Sequence, residues 1–300
     1  MHLIETIGLT KKFNGTVAVK GINLSIREGI CTALLGPNGA GKTTTLNMLT
    51  GLMNPTEGSI DFHEDYSGDR RKYLGYLPQY PKFFGWMSGL EYVVFAAELA
   101  GLSKEAAKSR AKEMLELVGL AEGGNKKVSG FSGGMKQRLG IAQALVHEPK
   151  LIILDEPVSA LDPIGRREVL ELMKQLKTRT SILFSTHVLH DAEEVSDDIF
   201  IMKKGEIVVE GSLVKLQNTY QQPTFFIETE MEMANWLETI KQKEWLRHVK
   251  VDKNKATLTV ENLQTARTEL LSDKTLQELK LIKFEVAKTS LEDLFMKVMK

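Results

Sequence analysis

The chain opens with short apolar runs separated by polar turns. Runs at 4–9, 22–26 and 30–35 predict strands, and Asn14-Gly15 and Glu28-Gly29 supply turns between them. A glycine-rich stretch follows, and then the pattern predicts a helix over 42–50 that Gly51 stops. Residues 54–58 read as a turn, with short strands near 59–62 and 73–77. From 88 to 147 the apolar period is helical. One helix spans 104–118 and ends at Gly119; another starts near Ser132 and must stop before Pro149. Strands return at 151–154 and 182–184 as continuous aliphatic runs, the pattern of strands buried on both faces. A crossover helix over 164–176 lies between them, so strand, helix, strand predicts a parallel sheet with right-handed crossovers. Runs at 199–202 and 207–209 form a hairpin around Lys204-Gly205.

Near 215–223 the character changes, and the polar stretch at 217–223 reads as a linker. Beyond it the pattern predicts strand 224–229, helix 231–241, strands 247–252 and 256–260, helix 262–271 and strand 280–286. That is the βαββαβ order of ferredoxin-like folds. An amphipathic helix over 291–299 closes the chain. Two domains are expected: an α/β domain over 1–215, with a helical part at about 85–149, and a small α+β domain over 216–300.

Composition narrows the class. The 300 residues are 42% hydrophobic and 26% charged, which predicts a packed core rather than disorder. Lys plus Arg equals Asp plus Glu at 39 each, and 216–300 is itself balanced at 13 and 13. Neither part has the basic excess of a nucleic-acid coat or a polybasic membrane anchor. One Cys excludes an internal disulfide framework and Cys-rich zinc sites; Cys31, in an apolar run, reads as a small core residue. No stretch is apolar enough to span a bilayer: the most apolar long window, 86–102, carries Glu91 and Glu98. The N-terminus has no basic region followed by an apolar core, so a cytoplasmic location is expected.

The chemistry begins at residues 36–43: Gly36, Pro37, Asn38, Gly39, Ala40, Gly41, Lys42 and Thr43. This is the phosphate-loop pattern, between an aliphatic strand and a helix as the pattern requires. Glycines let backbone N–H groups wrap phosphates, and the helix N-terminus adds partial positive charge. Lys42 supplies a cation for the β- and γ-phosphates. Thr43 is placed to coordinate Mg²⁺, and Thr44 to reach the α-phosphate region. The strand at 151–154 runs into Asp155 and Glu156. Open α/β sheets bind ligands at the carboxyl ends of their strands. There Asp155 can hold Mg²⁺ through its water shell, and Glu156 can accept a proton from an attacking water. His187 follows the strand Ser-Ile-Leu-Phe-Ser-Thr and could touch the γ-phosphate. The nearby His190, Asp191, Glu193 and Glu194 read as a helix start with acids in its first turns rather than a metal cluster.

Phe-Ser-Gly-Gly-Met at 131–135 resembles the signature of ABC ATPases, usually Leu-Ser-Gly-Gly-Gln. With the phosphate loop, Tyr-Leu-Pro-Gln at 76–79, Leu-Asp-Glu-Pro at 154–157, Ser-Ala-Leu-Asp at 159–162 and Ser-Thr-His at 185–187, the family's motifs stand in order over about 1–215. The resemblance implies a P-loop cassette: a parallel core sheet, a small antiparallel β subdomain and a helical subdomain. It makes Gln79 the residue that contacts Mg²⁺ and reports to a membrane partner, Asp162 part of the loop that links two sites, and Phe13 the ring that stacks on adenine. It implies a head-to-tail dimer, taken as a homodimer, in which Ser132, Gly133 and Gly134 of one subunit face the ATP of the other. ATP and Mg²⁺ are the implied ligands. Met135 and Phe131 depart from the pattern. Met135 can neither donate a hydrogen bond nor complete a Ser-x-x-Gln capping box, so slower hydrolysis is one expectation.

Tyr80, Phe83, Phe84, Trp86 and Met87 form a dense aromatic stretch after Gln79. About half should pack in the core; the rest suit a groove for the coupling helix of an integral membrane permease. The stretch at 161–168, the extra domain and the tail at 290–299 look like the drug- and antibiotic-export branch of the family, where the permease is a separate chain. The expected function is an ATP-hydrolysing subunit on the cytoplasmic face of the membrane, with no nucleic-acid partner. The alternative is a nucleotide-dependent regulatory protein with weak hydrolysis.

Overall fold

The computed structural model describes residues 1–66, 68–220, 223–287 and 291–299. They divide into a unit of Met1–Leu213 that also takes in the chain end from Val298, and a unit of Val214–Lys297.

The first unit runs β1 (His2–Phe13), β2 (Thr16–Ile22), β3 (Ser25–Arg27), β4 (Cys31–Leu35), α1 (Lys42–Leu49), β5 (Glu57–Phe62) and β6 (Leu74–Leu77). Then come α2 (Gly89–Leu99), α3 (Lys104–Leu117), α4 (Gly133–Leu145), β7 (Leu151–Asp155), α5 (Pro163–Leu176), β8 (Ser181–Thr186), α6 (Leu189–Val195), β9 (Asp198–Lys203) and β10 (Glu206–Ser212). α7 (Leu213–Tyr220) follows.

Two sheets result. β1 pairs antiparallel with β2, β3 and β5. The core sheet has the order β10-β9-β4-β8-β7-β6, parallel throughout except for β10 at its edge. One hydrophobic cluster takes Leu9 and Ile26 from the first sheet, Leu46 from α1, and Ile153 and Met202 from the second. α1, which carries the phosphate loop at its start, is thereby held by a core common to both sheets.

Local sequence explains most of the helix starts. Ser88 and Glu91 form a full capping box on α2, Ser103 caps α3 and Ser132 caps α4. Asp162 caps α5 with Pro163 behind it. The β1–β2 hairpin differs from the sequence expectation, which placed a strand at 22–26. Asn14 and Gly15 both have positive φ, 43° and 84°, the signature of a tight two-residue turn matched to strand twist. The turn therefore pairs β1 with Thr16–Ile22 directly, and Ile22 ends a strand instead of opening one. A mixed polar pattern on an exposed hairpin hides the strand.

In the second unit β11 (Thr224–Thr229), α8 (Ala234–Ile240), β12 (Leu246–Asp252), β13 (Lys255–Val260), α9 (Leu263–Ser272), α10 (Lys274–Glu278), β14 (Leu281–Ala287) and α11 (Leu291–Met299) follow. The sheet order β12-β13-β11-β14, all antiparallel, is the ferredoxin-like arrangement that the βαββαβ pattern predicts. Its core holds Phe225, Trp236, Leu258 and Leu270. Two details differ. Most of the expected linker is α7, whose apolar positions recur at helical spacing; 221–222 lie outside the described residues, as does Ser290 of the tail, and Pro223 leads into β11. The short α10 is set by Asp273, which accepts from Thr275 N and Leu276 N.

Candidate nucleotide site

Gly41 precedes α1 with φ 107°, and a Cβ there would lie 2.7 Å from the Ala18 carbonyl oxygen. The position accepts only glycine. The loop leads into the first N–H groups of α1, a ready anion site. Lys42 is 5% exposed; its Nζ donates to Gly36 O at 2.8 Å and lies 3.4 Å from Glu156 Oε1. Gly36 and Ala40 are buried, whereas Asn38, Gly39 and Thr43 are exposed and Thr44 is half-buried.

Glu156 is the centre of a network. It follows β7 with φ 47°, a left-handed conformation that costs a side-chain-bearing residue about 1–3 kcal/mol. From there its Oε2 meets His187 Nδ1 at 3.1 Å and Gln79 Nε2 at 3.4 Å. An ionised carboxylate only accepts, so His187 Nδ1 carries the proton and leaves Nε2 for another partner. Three strand ends and the phosphate loop thus converge: Gln79 from β6, Glu156 from β7, His187 from β8, Lys42 from α1.

Ser185, which carries no role in the sequence beyond its place in Ser-Thr-His, holds the two acids. Its hydroxyl donates to Asp155 Oδ1 at 2.5 Å and accepts from Glu156 N at 2.9 Å. The signal was a polar residue inside a buried aliphatic strand. Asp155 is 1% exposed and its Oδ2 has no hydrogen-bond partner. Tyr76 was also missed as an individual. Its hydroxyl donates to Asn47 Oδ1 at 3.0 Å, and burial, with the charge of Asp155, pushes the phenol up to about 12.

The residues present fit Mg²⁺ with a nucleoside triphosphate. An orphaned carboxylate oxygen in a buried acid needs a cation, and Thr43, Gln79 and Asp155 offer the hard oxygen donors that Mg²⁺ prefers.

The remaining expected residues lie apart from this network. Ser132 accepts from Met135 N at 3.2 Å, and Asp162 accepts from Gly165 N at 3.1 Å. These two caps are neighbours: a Cβ on Gly134 would sit 3.7 Å from Gly165 Cα, and one on Gly133 would sit 3.7 Å from Leu161 Cδ2. Met135 lies against Gly123, and Phe131 is buried against Gly89. Phe13 ends β1 beside the hairpin turn, 41% exposed, with Lys11 Nζ 5.4 Å from its ring centre.

The aromatic stretch divides. Phe83 packs edge-on against Tyr92 at 5.0 Å, and Phe84 meets Phe95 at 5.9 Å. Tyr80 and Trp86 are both 68% exposed. Among the described residues no group of three or more His, Cys, Asp and Glu stands where it could hold a metal ion. Of the acids after His187, Asp191 is 0% exposed. No helix among the described residues is long and apolar enough to cross a membrane.

Comparison with known proteins agrees with the geometry. Residues 19–159 match the ABC transporter family, and 211–299 match the C-terminal domain of DrrA1-3-like ATP-binding proteins. The ABC transporter ATP-binding protein YxlF of Bacillus subtilis is 48% identical over 99% of both chains. The linearmycin resistance ATP-binding protein LnrL of the same species is 32% identical, over 98% of this chain and 97% of its own. Among solved structures, the dimeric post-hydrolysis state of the ATP-binding cassette MJ0796, bound to ADP and phosphate, superposes with TM-score 0.62 and 30% identity over 70% of this chain and 99% of that one. A phosphate loop, a buried acid pair and a histidine meeting at the carboxyl ends of one sheet's strands, on a chain with full-length relatives of this kind, place the protein in the ABC transporter family as an ATP-binding, ATP-hydrolysing subunit.

Proposed function

We propose that the chain is the motor subunit of an exporter of drugs, antibiotics or similar compounds, driving a separate membrane permease from the cytoplasmic face. The observation that carries the hydrolytic part is the convergence of Lys42, Gln79 and His187 on Glu156. A regulatory nucleotide switch needs the phosphate loop but not a carboxylate aimed by three partners. Met135 is compatible with hydrolysis because Ser132 caps α4 without a glutamine. Export of a drug-like compound is supported by the linearmycin resistance relative and by the DrrA-like second unit.

In this reading Phe13 stacks on the adenine ring. The loop from Gly36 to Gly41 and the N-terminus of α1 cradle the phosphates, Lys42 neutralises the β- and γ-phosphates, and Thr44 reaches the α-phosphate. Thr43, Gln79 and Asp155 would hold Mg²⁺, which would supply positive charge against the charge developing on the phosphates. Glu156 accepts a proton from the attacking water, and His187, held through Nδ1 by Glu156, lies against the γ-phosphate. Ser132, Gly133 and Gly134 of a second copy present the start of α4 to the same phosphates, with Asp162 beside them. Binding closes the dimer, hydrolysis opens it, and the permease, docked on the exposed rings in the stretch 80–87, follows.

Glu156→Gln tests the reading. Binding of ATP is expected to persist, turnover to fall at least about 100-fold, and a closed dimer to accumulate on size-exclusion chromatography with ATP. Wild-type turnover in that variant removes Glu156 from the role of base. Identification of a multi-span protein co-purifying from native membranes tests the transport part, and ribosomes in its place would sink it.

A further inference from the structure

Behind the catalytic residues an ion pair between a half-buried arginine and a buried aspartate joins two turns that the chemistry needs in fixed relation. Asp162 caps α5, and one turn later Arg166 donates from Nε and Nη2 to Asp191 Oδ1, at 2.9 and 2.5 Å. Asp191 lies four residues after His187, in the first turn of α6. It is 0% exposed, and its Oδ2 has no hydrogen-bond partner.

A carboxylate taken from water with one oxygen engaged is poorly compensated. Stability alone does not account for burying Asp191, since an apolar residue of equal volume would pack there without its desolvation cost. What the pair supplies is geometry. The guanidinium is planar and grips one oxygen with two donors, which fixes distance and orientation between α5 and α6. No side chain caps the start of α6, where Val188 N donates to Thr186 Oγ1; Lys174 of α5 donates to Glu194 at its far end, at 2.7 Å, so Arg166 is the tie nearest His187.

We infer that Arg166 and Asp191 are a positioning pair for hydrolysis. They tie α6 to α5 and so hold His187 at its contact with Glu156, with the Asp162 turn kept in register at the same end of α5. Neither residue touches the reacting atoms; both act through His187. This rests on the roles assigned above to His187 and Glu156.

Steady-state ATPase kinetics of the full chain test it, with variants Arg166→Lys, Asp191→Asn, His187→Ala and the double variant His187→Ala/Asp191→Asn. Arg166→Lys and Asp191→Asn should each lower kcat about 10-fold, the scale of a displaced catalytic group, with the KM for ATP changed less than about twofold. In the His187→Ala background, Asp191→Asn should cost less than about twofold more, because residues acting as one unit are not additive. The His187 imidazole resonance should shift in Arg166→Lys, a signature that a purely structural role would not produce. Multiplying losses overturn the proposal, as does a parallel fall in kcat and ATP affinity, or an unchanged kcat in both single variants. If His187→Ala turns over normally, the reading of His187 fails and the pair falls with it. If His187→Ala is slow and the pair variants are not, only the pair falls. Should Asp191→Asn not fold, Arg166→Lys keeps the charge and carries the test alone.

Discussion

Ser185→Ala removes one hydroxyl and unsettles two acids. Ser185 is 0% exposed and lies opposite Asp155 in the parallel β7–β8 register, so one oxygen reaches both Asp155 Oδ1 and Glu156 N. Alanine preserves the strand and leaves two buried groups without partners. A hydrogen bond to a charged group contributes about 1.5–3 kcal/mol, and an orphaned buried N–H costs about 1–3 kcal/mol. Asp155 suffers most, since its Oδ2 is already unpartnered. A net loss of about 3 kcal/mol follows, and at about 2–4 °C per kcal/mol for a unit of this size Tm should fall by roughly 6–12 °C. Glu156, held at a strained positive φ partly by this bond, relaxes, and kcat should fall about 10- to 100-fold. Scanning calorimetry and ATPase assays on the same preparation read both numbers. A Tm within about 1 °C of wild type, with unchanged kcat, would refute the reasoning.

Other consequences are as specific. Gly41→Ala must relieve a 2.7 Å contact with the Ala18 carbonyl oxygen at a φ of 107°, so nucleotide affinity should drop at least about 10-fold in a fluorescent-ATP titration. His147 is held below the usual imidazole range by burial, its Nε2 donating to Leu74 O. The unfolded chain therefore takes up its proton first: the stability this group contributes is present above about pH 6.5 and lost as pH falls through the lowered folded value. His147→Gln should flatten that part of the Tm profile between about pH 7.5 and 5.5. Trp86→Ala should leave ATPase of the isolated chain intact while reducing recovery of the co-purifying membrane protein, because the ring is 68% exposed.

The phosphate loop and the acid pair were legible because their chemistry is local. Gly41, Lys42 and the strand end at Asp155 and Glu156 follow from residue type and spacing alone, and the alternation in 224–286 carried the second unit's strand order. The first hairpin was not legible, because Thr16–Ile22 is held by an Asn-Gly turn and pairing with β1 rather than by an apolar face of its own. α7 was hidden by polar residues that read as a linker.

The sequence by itself determined which residues are available for phosphate, metal and proton, since glycine at a positive φ, a lysine and two carboxylates are fixed by covalent chemistry. Only the tertiary structure decided which of them act on one another. Gln79, Glu156, His187 and Ser185 are separated by up to 108 positions, and parallel strand pairing brings the carboxyl ends of their strands side by side. Burial is likewise a property of the packed fold. Along the chain Asp191 reads as one of several acids in the first turns of a helix, yet in the fold it is buried and paired with Arg166.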